Sequence, residues 1–130
     1  MGLNTSTWLH DRPEDEVFKL LIDSYRIRVE DDYVFRGDIS DDSIYGQGNP
    51  VIGFRRYLKQ AESQSKVLPG WWNLEKRKAC IAKGNAQDHW SSLHFAVEKS
   101  DIQEHYKNSS MPMQLRMLAE EIVGTYVMTG

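Results

Sequence analysis

The chain has 130 residues and a mass of 15.1 kDa, with 40% hydrophobic and 27% charged residues, the composition of one soluble globular domain. Cys80 is the sole cysteine, which excludes an intrachain disulfide and a cysteine-built zinc site. No stretch reaches the roughly 18 consecutive apolar residues of a membrane span, and the start Met1–Ser6 lacks the basic residues and apolar run of a signal peptide. The expectation is a reducing, intracellular setting, cytoplasmic or nuclear, without membrane contact. A chain of this length buries roughly two-thirds of its unfolded surface, so no metal or cofactor is expected.

The net charge of −3 is unevenly spread. Residues 1–50 hold five Lys/Arg against eleven Asp/Glu (net −6), residues 51–83 eight against two (net +6), and residues 84–130 three against six (net −3). Such a dipolar chain can neutralise itself within the fold or across a homodimer, in which the opposed blocks meet in trans.

The first helix starts near Pro13, where the proline suits the first turn and Glu14, Asp15 and Glu16 face the positive end of the helix dipole. Val17, Leu20, Leu21, Ser24 and Arg28 follow the helical period, and Phe18, Ile22, Tyr25 and Val29 widen the apolar arc, predicting a helix over roughly 13–30 that is buried on two sides. From Glu30 to Asn49 the acids, glycines and serines read as a long acidic loop pinned by Tyr33, Phe35, Ile39, Ile44 and Tyr45. Within it, Tyr33–Arg36 is the best candidate strand.

Pro50 opens a second helix with Val51, Phe54, Tyr57, Leu58 and Ala61 on one face. Val67–Gly70 is a turn, Asn73 caps a third helix from Leu74 to Lys83, and Gly84-Asn85 stops it. A fourth helix is predicted from Asp88 or His89, with Trp90, Leu93, His94 and Val97 on one face. A short fifth, capped at Ser100-Asp101, carries Ile102, His105 and Tyr106. Pro112 starts the last helix, with Leu115, Leu118, Ala119 and Ile122 as its seam and Gly124 as its stop. The fold class is therefore mainly α: a compact single-domain bundle of about five or six helices with one long acidic loop. Its parts are an N-terminal arm (1–12), a helical domain (13–124) and a C-terminal tail (125–130).

Signals for chemistry are sparse. Asp38, Ser40 and Asp42 have the 1-3-5 spacing of a calcium loop, but Ser43 and Asn49 stand where the motif needs Gly and Glu, leaving a solvated acidic loop. Gly46-Gln47-Gly48 lacks the third glycine of a dinucleotide fingerprint. Cys80 lies among Lys76, Arg77, Lys78 and Lys83, a setting that lowers a thiol pKa when exposed, while cysteine is also a common core residue. Met111, Met113 and Met117 suit either a helix core or an adaptable binding face. No catalytic residue is assigned outright. The alternative catalytic set is His105 or His94 as base beside Glu98 or Asp101, since a neighbouring carboxylate tunes an imidazole for proton transfer.

The most distinctive segment runs from Phe54-Arg55-Arg56-Tyr57 to Trp71-Trp72-Asn73. Tryptophan and arginine anchor protein interfaces, and aromatics interleaved with cations also stack on single-stranded RNA. The binding set is Trp71, Trp72, Arg55, Arg56 and Tyr57, with the acidic loop around Asp38, Asp41 and Asp42 as its complement on a second copy.

Several blocks resemble a known family: Asp15–Arg26, Gly53–Leu58, Leu68–Arg77, Ala96–Tyr106 and Met111–Glu120. Together they are similar to a region of fungal proteins that carry the name of the MYND-type zinc finger, over roughly residues 14–124. The finger itself is absent, because Cys80 alone cannot supply its ligands. What the resemblance implies is the helical companion region, a protein-interaction module that takes a protein partner; nucleic acid is not expected because the chain is dipolar and not basic overall. The alternatives are a small enzyme or ligand-binding protein with an aromatic pocket, or RNA binding through the aromatic-basic segment.

Overall fold

A computed structural model describes residues 7–36 and 49–124. These form five α-helices, and no strand occurs among the described residues: α1 (Glu14–Arg36), α2 (Pro50–Ser63), α3 (Leu74–Asn85), α4 (Lys99–Tyr106) and α5 (Met111–Val123). The acidic loop, with Asp38, Ser40, Asp41, Asp42 and Gly46–Gly48, lies outside the described residues, as does the tail 125–130.

Helix α1 is the axis of the bundle. Val17, Leu20, Leu21, Ile22 and Ile27 are all buried, forming a wide apolar arc, while Asp23 and Arg26 on the remaining side are buried as a polar pair. Phe18 and Ile22 face the α3 side, where Ile22 lies under Gly84 and the Cys80 thiol sits against the Phe18 carbonyl. Tyr25 packs on Phe54 and Tyr57 of α2 at ring separations of 5.5 and 5.2 Å. Asp31 receives a two-pronged hydrogen bond from Arg116 of α5, at 2.9 and 3.0 Å. Leu115, Leu118, Ala119 and Ile122 of α5 and Ile102 of α4 complete the interior. Each fully buried aliphatic or aromatic side chain of this core contributes about 1.5–3 kcal/mol.

Three local expectations are corrected. Tyr33–Arg36 is helical rather than a strand, because the acids read as loop residues find partners on the helix: Asp31 holds Arg116, and Asp32 pairs with Arg28 one turn back at 3.6 Å. Residues 88–97 form no helix, although their spacing fits one. The backbone there is anchored outward instead, with Leu93 N–H donating to Gly84 O at 2.8 Å and Arg26 Nε to Phe95 O at 3.0 Å. Helix α4 is capped by Glu98, whose N–H donates to the Asp101 carboxylate at 2.9 Å, two residues before Ser100.

The other boundaries match their chemistry. Asn49 accepts from Val51 N–H ahead of Pro50, and Asn73 accepts from Lys76 N–H, both at 2.9 Å. Gly124 ends α5 at φ 94°, a left-handed conformation natural to glycine. Residues 7–12 pack onto the domain rather than standing away from it: Leu9 is fully buried, and His10 Nε2 donates to Lys66 O at 2.6 Å.

One polar cluster ties α1 to the irregular 86–98 segment and to α4. Asp23, with no exposed surface, takes hydrogen bonds from Arg26 (2.7 Å), Ser91 (3.0 Å) and the Tyr106 hydroxyl. The Arg26 guanidinium lies 4.7 Å from the centre of the Trp90 ring. Burial pushes the Asp23 carboxyl above its ordinary range, against the pull of Arg26 and the two hydroxyls. Truncating one partner of a buried pair strands the other charge, at a cost of about 3–5 kcal/mol. Asp23→Ala is therefore expected to lower unfolding stability by about that amount in urea titration, whereas the double variant Asp23→Ala/Arg26→Met recovers part of it. A single-variant loss below about 1 kcal/mol would show that Arg26 does not depend on Asp23.

Candidate functional site

The turn Leu68–Asn73 builds the corner between α2 and α3. Trp72 N–H closes it on Pro69 O at 3.0 Å, and the Asn73 cap fixes the direction in which α3 leaves. Both indoles are half-buried and rest edge-on against Phe18 of α1, at 6.3 Å and 66° for Trp71 and 6.0 Å and 90° for Trp72.

Trp72 is also held by its ring nitrogen, which donates to Glu62 Oε2 at 2.9 Å. The same carboxylate receives Arg77 through Nε and Nη2 at 2.9 and 3.1 Å. Burial works to raise the Glu62 pKa, but the Arg77 and Trp72 hydrogen bonds and the charges of Arg77 and Lys59 outweigh it and hold the carboxyl below its usual range. Glu62 thus stays ionised and locks the indole to both helices. In front of it lies an open groove of about 350 Å³, lined by Glu62, Gln64, Ser65, Leu68, Trp72 and Asn73 among others.

The five residues grouped by sequence divide between outside and inside. Trp71 and Trp72 form the corner, and Arg55 and Arg56 lie on the exposed side of α2. Tyr57 is interior, at 2% exposure. Its hydroxyl donates to Ser24 Oγ at 2.7 Å, since the Ser24 hydroxyl is spent on Leu21 O, and burial pushes its pKa upward. Glu62 went unrecognised in the sequence, because its partners are ten and fifteen residues away and no local spacing marks them.

Of the alternative catalytic residues, Asp101 and His105 share α4 four residues apart, while His94 lies in the irregular segment before it. His94 Nε2 lies 2.9 Å from Asn85 Oδ1, and Glu98 and Asp101 share the α4 cap. His105 stacks flat on Trp90, with centroids 3.7 Å apart and planes within 2°. The carboxylate whose charge reaches it is Asp23. Cys80 is fully buried, and burial drives its thiol pKa up in spite of Lys83, leaving it a core residue. Among the described residues no group of three His, Cys, Asp or Glu side chains is placed to hold a metal ion. A crevice between Tyr25, Val29, Leu93 and Phe95 holds about 10 Å³, room for one water.

The charge blocks meet partly within the chain. Lys76 and Lys83 of α3 pair with Glu14 and Asp15 in the first turn of α1 at 2.6 and 2.8 Å, joining the acidic block to the basic one in cis. No helix among the described residues is long and apolar enough to cross a membrane. No protein-family model, curated protein or solved structure matches the chain.

The His105 stack has a pH signature. Burial against Trp90, helped by Arg26 and Lys19 and opposed by Asp23, lowers the His105 pKa from its ordinary 6.5. Below pH 6.5 the unfolded chain then takes up a proton before the folded chain does, so this contribution to stability is lost as pH falls through that window. An NMR titration is expected to place the His105 midpoint below 6.5, with Trp90→Ala returning it toward that value. A midpoint at or above 6.5 in the wild type would show that burial does not outweigh the charge of Asp23 at this ring.

Proposed function

We propose that this chain is a protein-interaction module that self-associates through the tryptophan corner of α2 and α3. The observation that carries the reading is the Glu62-locked Trp72 at the edge of an open groove. A rigid, half-exposed indole beside arginine is the composition of an interface anchor, and its immobility lowers the entropy lost on binding. The resemblance to fungal MYND-named proteins supports the same reading and suggests an intracellular, cytoplasmic or nuclear setting in a fungus.

Two other readings have less support. RNA binding asks for open aromatic faces, while both indoles here lean on Phe18 and a carboxylate stands beside Trp72. A histidine-based enzyme asks for a cleft that gathers base and carboxylate; here the Asp101 carboxylate accepts from the Glu98 N–H, the His105 ring is stacked on Trp90, and His94 Nε2 lies against Asn85.

Sedimentation velocity over a concentration series tests the module reading. The wild type is expected to associate reversibly, and Trp72→Ala, with helix content checked by circular dichroism, to weaken association at least about tenfold, the scale of a modest interface anchor. A monomeric mass for the wild type throughout the series would overturn it.

A further inference from the structure

The groove at the tryptophan corner carries charge and hydrogen-bonding groups that the fold itself does not use. Residues 51–83 hold eight cations and only two acids, Glu62 and Glu75. Lys76 and Lys83 turn to the acids of α1, and Arg77 is taken by Glu62. Lys59 is exposed one turn before Glu62, with its charge felt at that carboxylate. Arg55 is exposed one turn further back on the same side of α2, and Lys66 is exposed next to Ser65 on the groove rim. Glu75 stands two residues from Arg77, a spacing that turns it away from the Glu62 side of α3. Because Glu62 and Arg77 cancel one another, Arg55, Lys59 and Lys66 leave the rim positive. Two neutral side chains inside the groove are each half used. Gln64 donates through Nε2 to Ile122 O at 3.2 Å, which leaves its carbonyl oxygen as an acceptor, and Asn73 accepts from Lys76 N–H at 2.9 Å, which leaves its amide NH2 as a donor.

We infer that this groove takes an extended acidic peptide segment of a partner protein, with one apolar side chain seated on Leu68 and Trp72 and carboxylates on either side reaching Lys59, Lys66 and Arg55. The inference rests on the reading of the corner as an interface and names an occupant other than a second copy. A main-chain amide unit offers one N–H and one C=O, the pair that Gln64 and Asn73 leave open. A cavity of about 350 Å³ is at the small end of the ligand-binding range, about 300–1,000 Å³, and suits a short segment. The positive rim draws a partner of opposite sign and speeds its approach. Glu62 decides where the acids of that partner sit. Ionised and bonded to the indole, it repels a carboxylate placed over Trp72 and reserves that position for an apolar residue. A nucleic acid carries a phosphate at every nucleotide and has no neutral stretch to set there.

Fluorescence anisotropy with the intact chain tests this, using a labelled nonapeptide in which a central leucine is flanked on each side by one glycine and then three glutamates. The comparison ligands are the same peptide with glutamine for glutamate, the same peptide with glycine for leucine, and a labelled uridine nonamer. The wild type is expected to bind the acidic peptide at least about tenfold more tightly than the leucine-free peptide, the scale of burying one aliphatic side chain, and more tightly than the other two ligands. Its affinity falls as salt is raised from about 50 to 300 mM. Lys59→Gln/Lys66→Gln is expected to weaken binding at least about threefold, the scale of two exposed ion pairs. Lys99→Gln/Lys107→Gln, on and beside α4, removes the same charge away from the groove and leaves binding unchanged. All four lysines are exposed, so the core is untouched. Equal binding of the glutamine peptide, equal losses in the two double variants, or tighter binding of the RNA would each overturn the inference. Sedimentation separates it from the module reading: a chain that stays monomeric but binds the acidic peptide loses self-association and keeps this inference, and a chain that self-associates but ignores the peptide does the reverse.

Discussion

The buried carboxylate of Asp23 is the point on which this architecture turns. It stands midway along the central helix, and its hydrogen bonds reach Arg26 in the same helix, Ser91 in the irregular segment and Tyr106 at the end of α4. A solvent-free carboxylate is costly to bury alone, so the three donors must be in place together. Their convergence fixes the 86–98 segment as a strap across α1 rather than the helix its own periodicity favours. Arg26, oriented by the same carboxylate, then lies over Trp90 and reaches the Phe95 carbonyl. Through Trp90, the cluster also sets where His105 rests.

The second polar centre, around Glu62, has a different character. Asp23 is sealed in the interior and serves the fold, whereas Glu62 is exposed and organises a surface. Both work by giving one carboxylate to several donors on separate elements. At the corner this leaves Trp72 rigid with part of its ring facing solvent. An aromatic side chain in that position is ordered before any partner arrives, which is the condition under which its contact area is most fully expressed as affinity.

Most of the fold was legible in the sequence because it rests on local chemistry. The Asn49-Pro50 and Asn73 starts, Pro112, the Gly124 stop and the apolar faces of α2 and α5 are read from residues within a turn of one another. The same reading already placed Tyr57 with Phe54 on the buried face of α2, which explains why it does not join Arg55 and Arg56 at the surface. What escaped was long-range. The acids at 30–32 look like a loop until Arg116, eighty-five residues away, is brought to Asp31. Residues 88–97 look helical until Asp23 and Gly84 claim their side chains and backbone. At the candidate site the tryptophans stood out by type alone, but the carboxylate that positions Trp72 carries no local mark.

The placement of α1 also has a bearing on biogenesis. The helix on which α2, α3 and α5 all pack is the first of the five, and its widest packing partner, α5, is the last. On the ribosome the apolar sides of α1 therefore emerge long before the residues that cover them. At ordinary synthesis rates of about 5–20 residues per second, the interval between α1 and α5 is on the order of 5–20 s. Native contacts such as Arg116 with Asp31 are non-local and cannot reward earlier partial folding. During that interval the apolar arc of α1, Val17, Leu20, Leu21 and Ile27 among it, lacks the α5 residues that cover it.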